Sequence, residues 1–206
     1  MELYLVRHGE TEWSRARRHT GRTDVPLSPA GEAEARALGA HLDGLEVDRV
    51  LASPLARATS TARLAGFGGR LETTRALLEF DYGDYEGLTT AQIHAGRPGW
   101  DLFRDGCPGG ETAAAVAERA RRLVVELAAG DGRVMLFGHG HQLRILTACY
   151  LGLAPDAARH LFLGTASVSV LGHEHAWPAV LLWNEQEGSG ASEHEAGVPG
   201  WRGISG

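Results

Sequence analysis

The sequence predicts an α/β fold, a three-layer α/β/α sandwich built on a mostly parallel central sheet. Short apolar runs alternate with segments of helical period along the chain, as in a sheet covered by helices. The 206 residues, 43% of them hydrophobic, suffice for one well-buried domain and would be cramped as two. Arginine and histidine recur just beyond the apolar runs, where an open parallel sheet binds its ligands.

Leu3–Val6 is the first expected strand. Ser28-Pro29-Ala30-Gly31-Glu32 then opens a helix, with a serine cap, proline in the first turn and an acidic residue near the positive end. Ala33, Ala37, Leu38 and Leu42 continue it at helical spacing. Val47–Ala52 is the second strand; it stops at Ser53-Pro54, and a helix follows to about Leu64. Leu71–Thr74 is a short strand, and Glu86–Ala95 and Glu111–Leu127 are helices. Arg133–Phe137 is a buried strand that leads through Gly138-His139-Gly140 into a helix over Gln142–Leu151. Ala166–Leu171 and Ala179–Trp183 are the last strands. The expected domain therefore spans 1–184, and the Gly, Ser and Glu rich stretch 185–206 is read as a tail.

Composition narrows the chemistry. Net charge is −6, which argues against nucleic acid as the main partner. No apolar run reaches the roughly 20 residues of a membrane span, and the start lacks the basic and apolar regions of a signal peptide. Cys107 and Cys149 form neither a disulfide framework nor a metal spacing, so a reducing cytoplasm is the expected compartment. All 20 residues of the Lys+Arg total are arginine. That removes Schiff-base lysines and the lysine of a Walker loop, and leaves guanidinium and imidazole to handle any phosphate.

The first strand delivers Arg7 and His8; the second leads to Arg57 in the first turn of a helix; Arg133–Phe137 delivers His139 between two glycines. If these strands run parallel, the four side chains share one sheet edge and form an electropositive pocket suited to a phosphate dianion. A guanidinium fork matches phosphate oxygens, and an imidazole serves as base, acid or nucleophile. Taken singly, each residue has an ordinary structural reading, as a strand-end histidine bonded to backbone or a salt-bridging arginine. It is their joint placement that points to chemistry.

The chain resembles the histidine phosphatase superfamily, the phosphoglycerate-mutase-like fold. The resemblance rests on five ordered blocks: Arg7 to Trp13; Thr20 to Ser28 with Gly31; Ser53 to Ala58 with Thr61-Ala62; Glu79 to Gly87; and Gly138-His139-Gly140. It implies that His8 becomes phosphorylated, that Arg7, Arg57 and His139 hold the nonbridging oxygens, and that Glu79 serves as acid and then base. A wrong pick within the acidic run Asp81, Asp84, Glu86 is the main competing assignment for Glu79. Ser14, Thr20, the amide of Gly21, Gly140 and His141 are the candidate substrate contacts.

The resemblance leans toward the branch of acid phosphatases and sugar-bisphosphatases, because His141 and Gln142 stand where mutases usually carry asparagine. The expected activity is thus a metal-independent phosphomonoester hydrolase acting on small phosphorylated metabolites, with sugar phosphates among them. A cofactor-dependent phosphoglycerate mutase and a noncatalytic phosphometabolite-binding protein are the alternatives. Ser14 replaces a common asparagine, and Gly138 a common serine or alanine. His139-x-His141 has no further ligand at metal spacing, so neither metal nor cofactor is expected. Arg15, Arg17, Arg18 and Arg22 form a basic patch that is either a solvated face or a steering surface for anions. Gly96–Gly110 is either a lid or a structural loop, and a homodimer is compatible with the sequence.

Overall fold

The computed structural model describes residues 1–186. Six strands among these residues form one sheet: β1 (Glu2–Arg7), β2 (Arg49–Ala52), β3 (Leu71–Thr73), β4 (Arg133–Gly138), β5 (Val168–Glu174) and β6 (Trp177–Glu185). Their order is β3-β2-β4-β1-β5-β6. The first four run parallel, and β5 and β6 add an antiparallel edge. The expected tail lies outside the described residues from 187 on; Glu185 itself closes β6.

Alternation along each strand divides the core between two faces. Leu3 and Leu5 of β1 point to one face, with Leu136 of β4 and the buried leucines of α6 (Ala113–Ala128) and α7 (Gly140–Tyr150). Tyr4 and Val6 point to the other, with Phe137 and residues of α2 (Pro29–His41) and α3 (Ala56–Leu64). Each fully buried leucine or phenylalanine in these layers contributes roughly 1.5–3 kcal/mol, which binds both helical layers to the sheet.

Shorter helices complete the edge above the strands: α1 (Glu12–Arg15), α4 (Thr90–Gly96) and α5 (Leu102–Asp105). The helix expected from Glu86 begins only at Thr90, because Gly87 takes a positive φ of 77° and Thr89 with Gln92 makes a capping box. Likewise Thr112 caps α6, so that helix starts two residues later than the acidic pattern predicts. The last two strands are longer than their apolar runs, since the hairpin β5–β6 pairs through polar positions as well.

Residues 80–107 carry a third core. Phe80, Tyr82, Ile93, Trp100 and Leu102 pack on Ala117 and Ile145 of the α6/α7 layer. The Trp100 indole donates to the Gly106 carbonyl at 2.8 Å. The 96–110 segment is therefore fastened by buried aromatic and aliphatic side chains.

The turn after β1 rests on the start of α2. Ser28 caps α2 and its hydroxyl also donates to the Glu10 carboxylate at 2.8 Å. A Cβ on Gly31 would overlap the backbone carbonyl of Glu10, and one on Gly9 the carbonyl of Gly31. Gly31→Ala is therefore expected to lower stability by about 1–3 kcal/mol and to displace the loop that carries His8. Urea denaturation measures this; an unchanged midpoint counts against the close packing.

Candidate active site

Strands β1 and β4 pair in parallel with Arg7 opposite Gly138. The ladder continues one step further, where the His8 amide donates to the Gly138 carbonyl at 3.0 Å. The two residues that leave these strands, His8 and His139, consequently meet: their ring centroids lie 5.2 Å apart at an interplanar angle of 64°.

Hydrogen bonds give the two imidazoles opposite tautomers. His8 Nδ1 lies 2.7 Å from the Gly9 carbonyl oxygen, which only accepts, so Nδ1 carries the proton and Nε2 a lone pair. His139 Nδ1 lies 3.2 Å from Arg57 Nε, which only donates, so here Nδ1 holds the lone pair and Nε2 the proton. Burial, then the nearby Arg57 and Arg7, holds the His8 imidazole well below the ordinary histidine pKa. Burial, Arg57 and His8 do the same to His139. The site thus sets a neutral imidazole lone pair beside a neutral imidazole N–H donor.

Two buried donors in this cluster have no partner among the described residues, Arg7 Nε and His139 Nε2. Such groups cost free energy unless an acceptor reaches them, and an anion is the acceptor a guanidinium favours. The Arg7 Nη1 donates to the Leu163 carbonyl, which fixes the plane of the fork.

Arg57 is fully buried. Its Nη1 donates to the Thr23 carbonyl at 2.9 Å, and Nη2 to those of Thr20 and Gly21 at 3.1 and 2.9 Å. With Nε on His139, most of its donors are spent inside the protein. Arg57 therefore sets the tautomer of His139 and ties down the 20–23 loop, whereas the resemblance implied direct contact with phosphate oxygens. Thr61 locks α3 to the loop that carries His8, accepting from the Gly9 amide at 3.0 Å and donating to the Arg57 carbonyl at 2.7 Å.

Glu79 reaches the cluster from the other side. Its Oε1 accepts from the Gln142 and Phe80 amides at 2.9 and 2.8 Å, and Oε2 from the His141 amide at 3.1 Å. His139 stands at the cap position of α7 but makes no side-chain cap bond, its ring being held by Arg57. Glu79 fills that role from a distant loop and meets the orphan amides at the positive helix end.

A cavity of about 630 Å³ opens over Arg7, His8, Glu79 and Gly140. His139 itself is fully buried. Arg15, Arg17, Arg18 and Arg144 also face the cavity, against the carboxylates of Glu10 and Glu79.

The description "Histidine phosphatase superfamily (branch 1)" belongs to the family model that matches residues 3–186. The chain belongs to this superfamily. It is 42% identical over 177 residues to an acid phosphatase of Mycobacterium tuberculosis, covering 84% of this chain and 87% of that one. It is 33% identical over 182 residues to the sedoheptulose 1,7-bisphosphatase of Saccharomyces cerevisiae, covering 72% and 67%. A solved open reading frame product of M. tuberculosis superposes with a TM-score of 0.84 at 37% identity, covering 90% of this chain and 97% of that one.

Within this histidine phosphatase, the expected substrate contacts fare differently. Gly140, His141, Thr20 and Ser14 line the cavity. The Ser14 hydroxyl, however, is engaged with Thr11 in a capping box, at 2.9 and 3.0 Å. Gly21 is corrected: its amide donates to both oxygens of Glu86, at 2.9 and 3.0 Å, and so is not free for phosphate. Glu86 had only been a rival for the acid; it organises the 20–23 loop from below, accepting also from the Thr23 amide at 3.1 Å. Arg22 faces away and pairs with Asp81 at 3.1 Å, which leaves Arg15, Arg17 and Arg18 as the part of the basic patch at the site.

Sequence reading missed Tyr82 and Arg144. The Tyr82 hydroxyl lies 2.6 Å from His141 Nδ1. Burial, Glu79 and Cys107 raise the Tyr82 pKa well above its ordinary value, so its hydroxyl stays protonated. Burial and Arg144 keep His141 neutral. Arg144 donates to the Ala158 carbonyl at 3.0 Å and stacks over Phe103 at 5.0 Å. Its place one turn into α7, after His141, was the available signal.

Four imidazoles, His8 and His139 buried and His19 and His141 half-buried, make the fold acid-sensitive. His8, His139 and His141 stay neutral well below pH 6.5, and burial lowers His19 to about 4. Below pH 6.5 the unfolded chain binds protons that the folded chain refuses. Stability is therefore lost as pH falls, with a slope of roughly 1.4 kcal/mol per pH unit for each such histidine. Denaturant midpoints measured from pH 7 down to pH 5 should fall steadily; a flat profile would contradict neutral buried rings.

Proposed function

We propose that this chain hydrolyses phosphomonoesters of small metabolites, sugar phosphates among them, through a phosphohistidine on Nε2 of His8. One observation carries the reading: the opposed tautomers of His8 and His139 put a lone pair and an N–H donor side by side. The acid phosphatase and bisphosphatase relatives support phosphate-ester hydrolysis as the reaction.

The neutral Nε2 of His8 attacks phosphorus, and the bond to the ester oxygen breaks. Nδ1–H keeps its bond to the Gly9 carbonyl, which stabilises the positive charge that the ring acquires. Arg7 Nε–H and His139 Nε2–H donate to the nonbridging oxygens, where charge is held in the transition state. In its protonated form Glu79 gives its proton to the departing alkoxide. Its carboxylate then takes a proton from the water that attacks the phosphohistidine, the P–N bond breaks, and the electron pair returns to Nε2. No step calls on a metal ion. Arg15, Arg17, Arg18 and Arg144 give the outer cavity a cationic wall that suits an anionic substituent elsewhere on the substrate.

A panel of sugar phosphates and other phosphorylated metabolites, assayed for inorganic phosphate with EDTA present, tests this. Activity should persist in the chelator, and His8→Ala should lower kcat at least on the order of 10³-fold. Acid-quenched wild-type enzyme should carry phosphate on the peptide containing His8. Full activity in His8→Ala rejects the nucleophile. In the kcat/KM profile, the acid limb should lie well below pH 6.5, because the nucleophile takes up its proton only there.

A further inference from the structure

Behind Glu79, away from the cavity, the chain between Leu78 and Tyr82 has no regular backbone ladder. Its carbonyls need donors from elsewhere. Arg119, projecting from α6, supplies one from Nη2 to the carbonyl of Glu79 itself at 3.1 Å, and its Nη1 donates to the Ala76 carbonyl just before the stretch at 2.9 Å. The other edge of the same guanidinium is held by Glu111, with Nε and Nη2 each 3.3 Å from a carboxylate oxygen. Both side chains are under one-fifth exposed. A two-point guanidinium–carboxylate pair fixes the plane of the fork, so the free edge is aimed at the two carbonyls. Glu111 also accepts from the Asp81 amide at 2.9 Å, and the Glu111 amide donates to the Asp81 carbonyl at 2.8 Å. The acid-bearing segment is thus strapped to α6 at residues 76 and 79, and to Glu111 just before that helix at residue 81.

We infer that Arg119, held by Glu111, is a positioning residue for Glu79, an inference that rests on Glu79 being the general acid. The carboxylate of Glu79 is tied to α7 and its backbone to α6. The two helices together fix the reach of the acid toward the leaving oxygen. Arg119 touches neither substrate nor reacting atoms; its hydrogen-bonded path to the acid runs through the Glu79 peptide. Proton donation matters most when the leaving group is a poor one, so displacement of the acid slows alkyl esters more than aryl esters.

The test compares an alkyl phosphate that proves to be a substrate with 4-nitrophenyl phosphate, whose phenolate leaves with little help. Arg119→Lys keeps the charge and loses the fork. It should lower kcat/KM about 10-fold on the alkyl ester and by less than about 3-fold on the aryl ester. Glu111→Gln should show the same split to a smaller degree, and it replaces Arg119→Lys should that variant melt below the assay temperature. Glu79→Gln serves as the reference, with a split of roughly 10²–10⁴-fold. Equal losses on both esters, or none, in the Arg119 and Glu111 variants overturn the inference while leaving Glu79 as the acid. Absence of a split in Glu79→Gln rejects the acid itself, and the inference with it.

Discussion

The parallel pairing of β1 with β4 is the constraint on which this structure depends. Its register sets Arg7 opposite Gly138 and so brings His8 and His139 together as the chain leaves the sheet. A slip of one residue would exchange Leu3 and Leu5 with Tyr4 and Val6 between two close-packed layers, mismatching side-chain shapes in both at once. The two hydrophobic layers therefore enforce the geometry of the imidazoles.

Holding charge inside that frame is the second problem. Buried guanidiniums are costly unless their donors are met. Arg57 meets this with three loop carbonyls and a ring nitrogen, and Arg119 with two carbonyls and Glu111. Arg7 differs: its Nη1 is bonded to Leu163, while its buried Nε has no partner. The contrast separates guanidiniums whose donors are spent inside the protein from one with a buried donor to spare.

Much of the architecture was legible in the chain. The cap at Ser28-Pro29 and the apolar runs before His8 and His139 mark elements whose signals are local, and the structure places them there. Boundaries shifted where short-range chemistry competed, as at Gly87 and Thr89, where a positive φ and a capping box delayed a helix that the pattern began earlier. The functional cluster was legible for a related reason: strand ends in a parallel sheet share an edge, so Arg7, His8 and His139 could be brought together without coordinates. Gly21 was misjudged because its amide is claimed by Glu86, a partner 65 residues away.

By itself the sequence determined the fold class, the sheet edge that carries the chemistry and the residue types available to it, because hydrophobic period and strand-end composition are one-dimensional properties. Only the tertiary structure decided which donor is free and which is spent. The tautomers of His8 and His139, the confinement of Arg57 and the attachment of Glu79 to α7 all follow from hydrogen bonds. Those bonds are fixed by distances and angles in space, and groups far apart in the chain supply most of them.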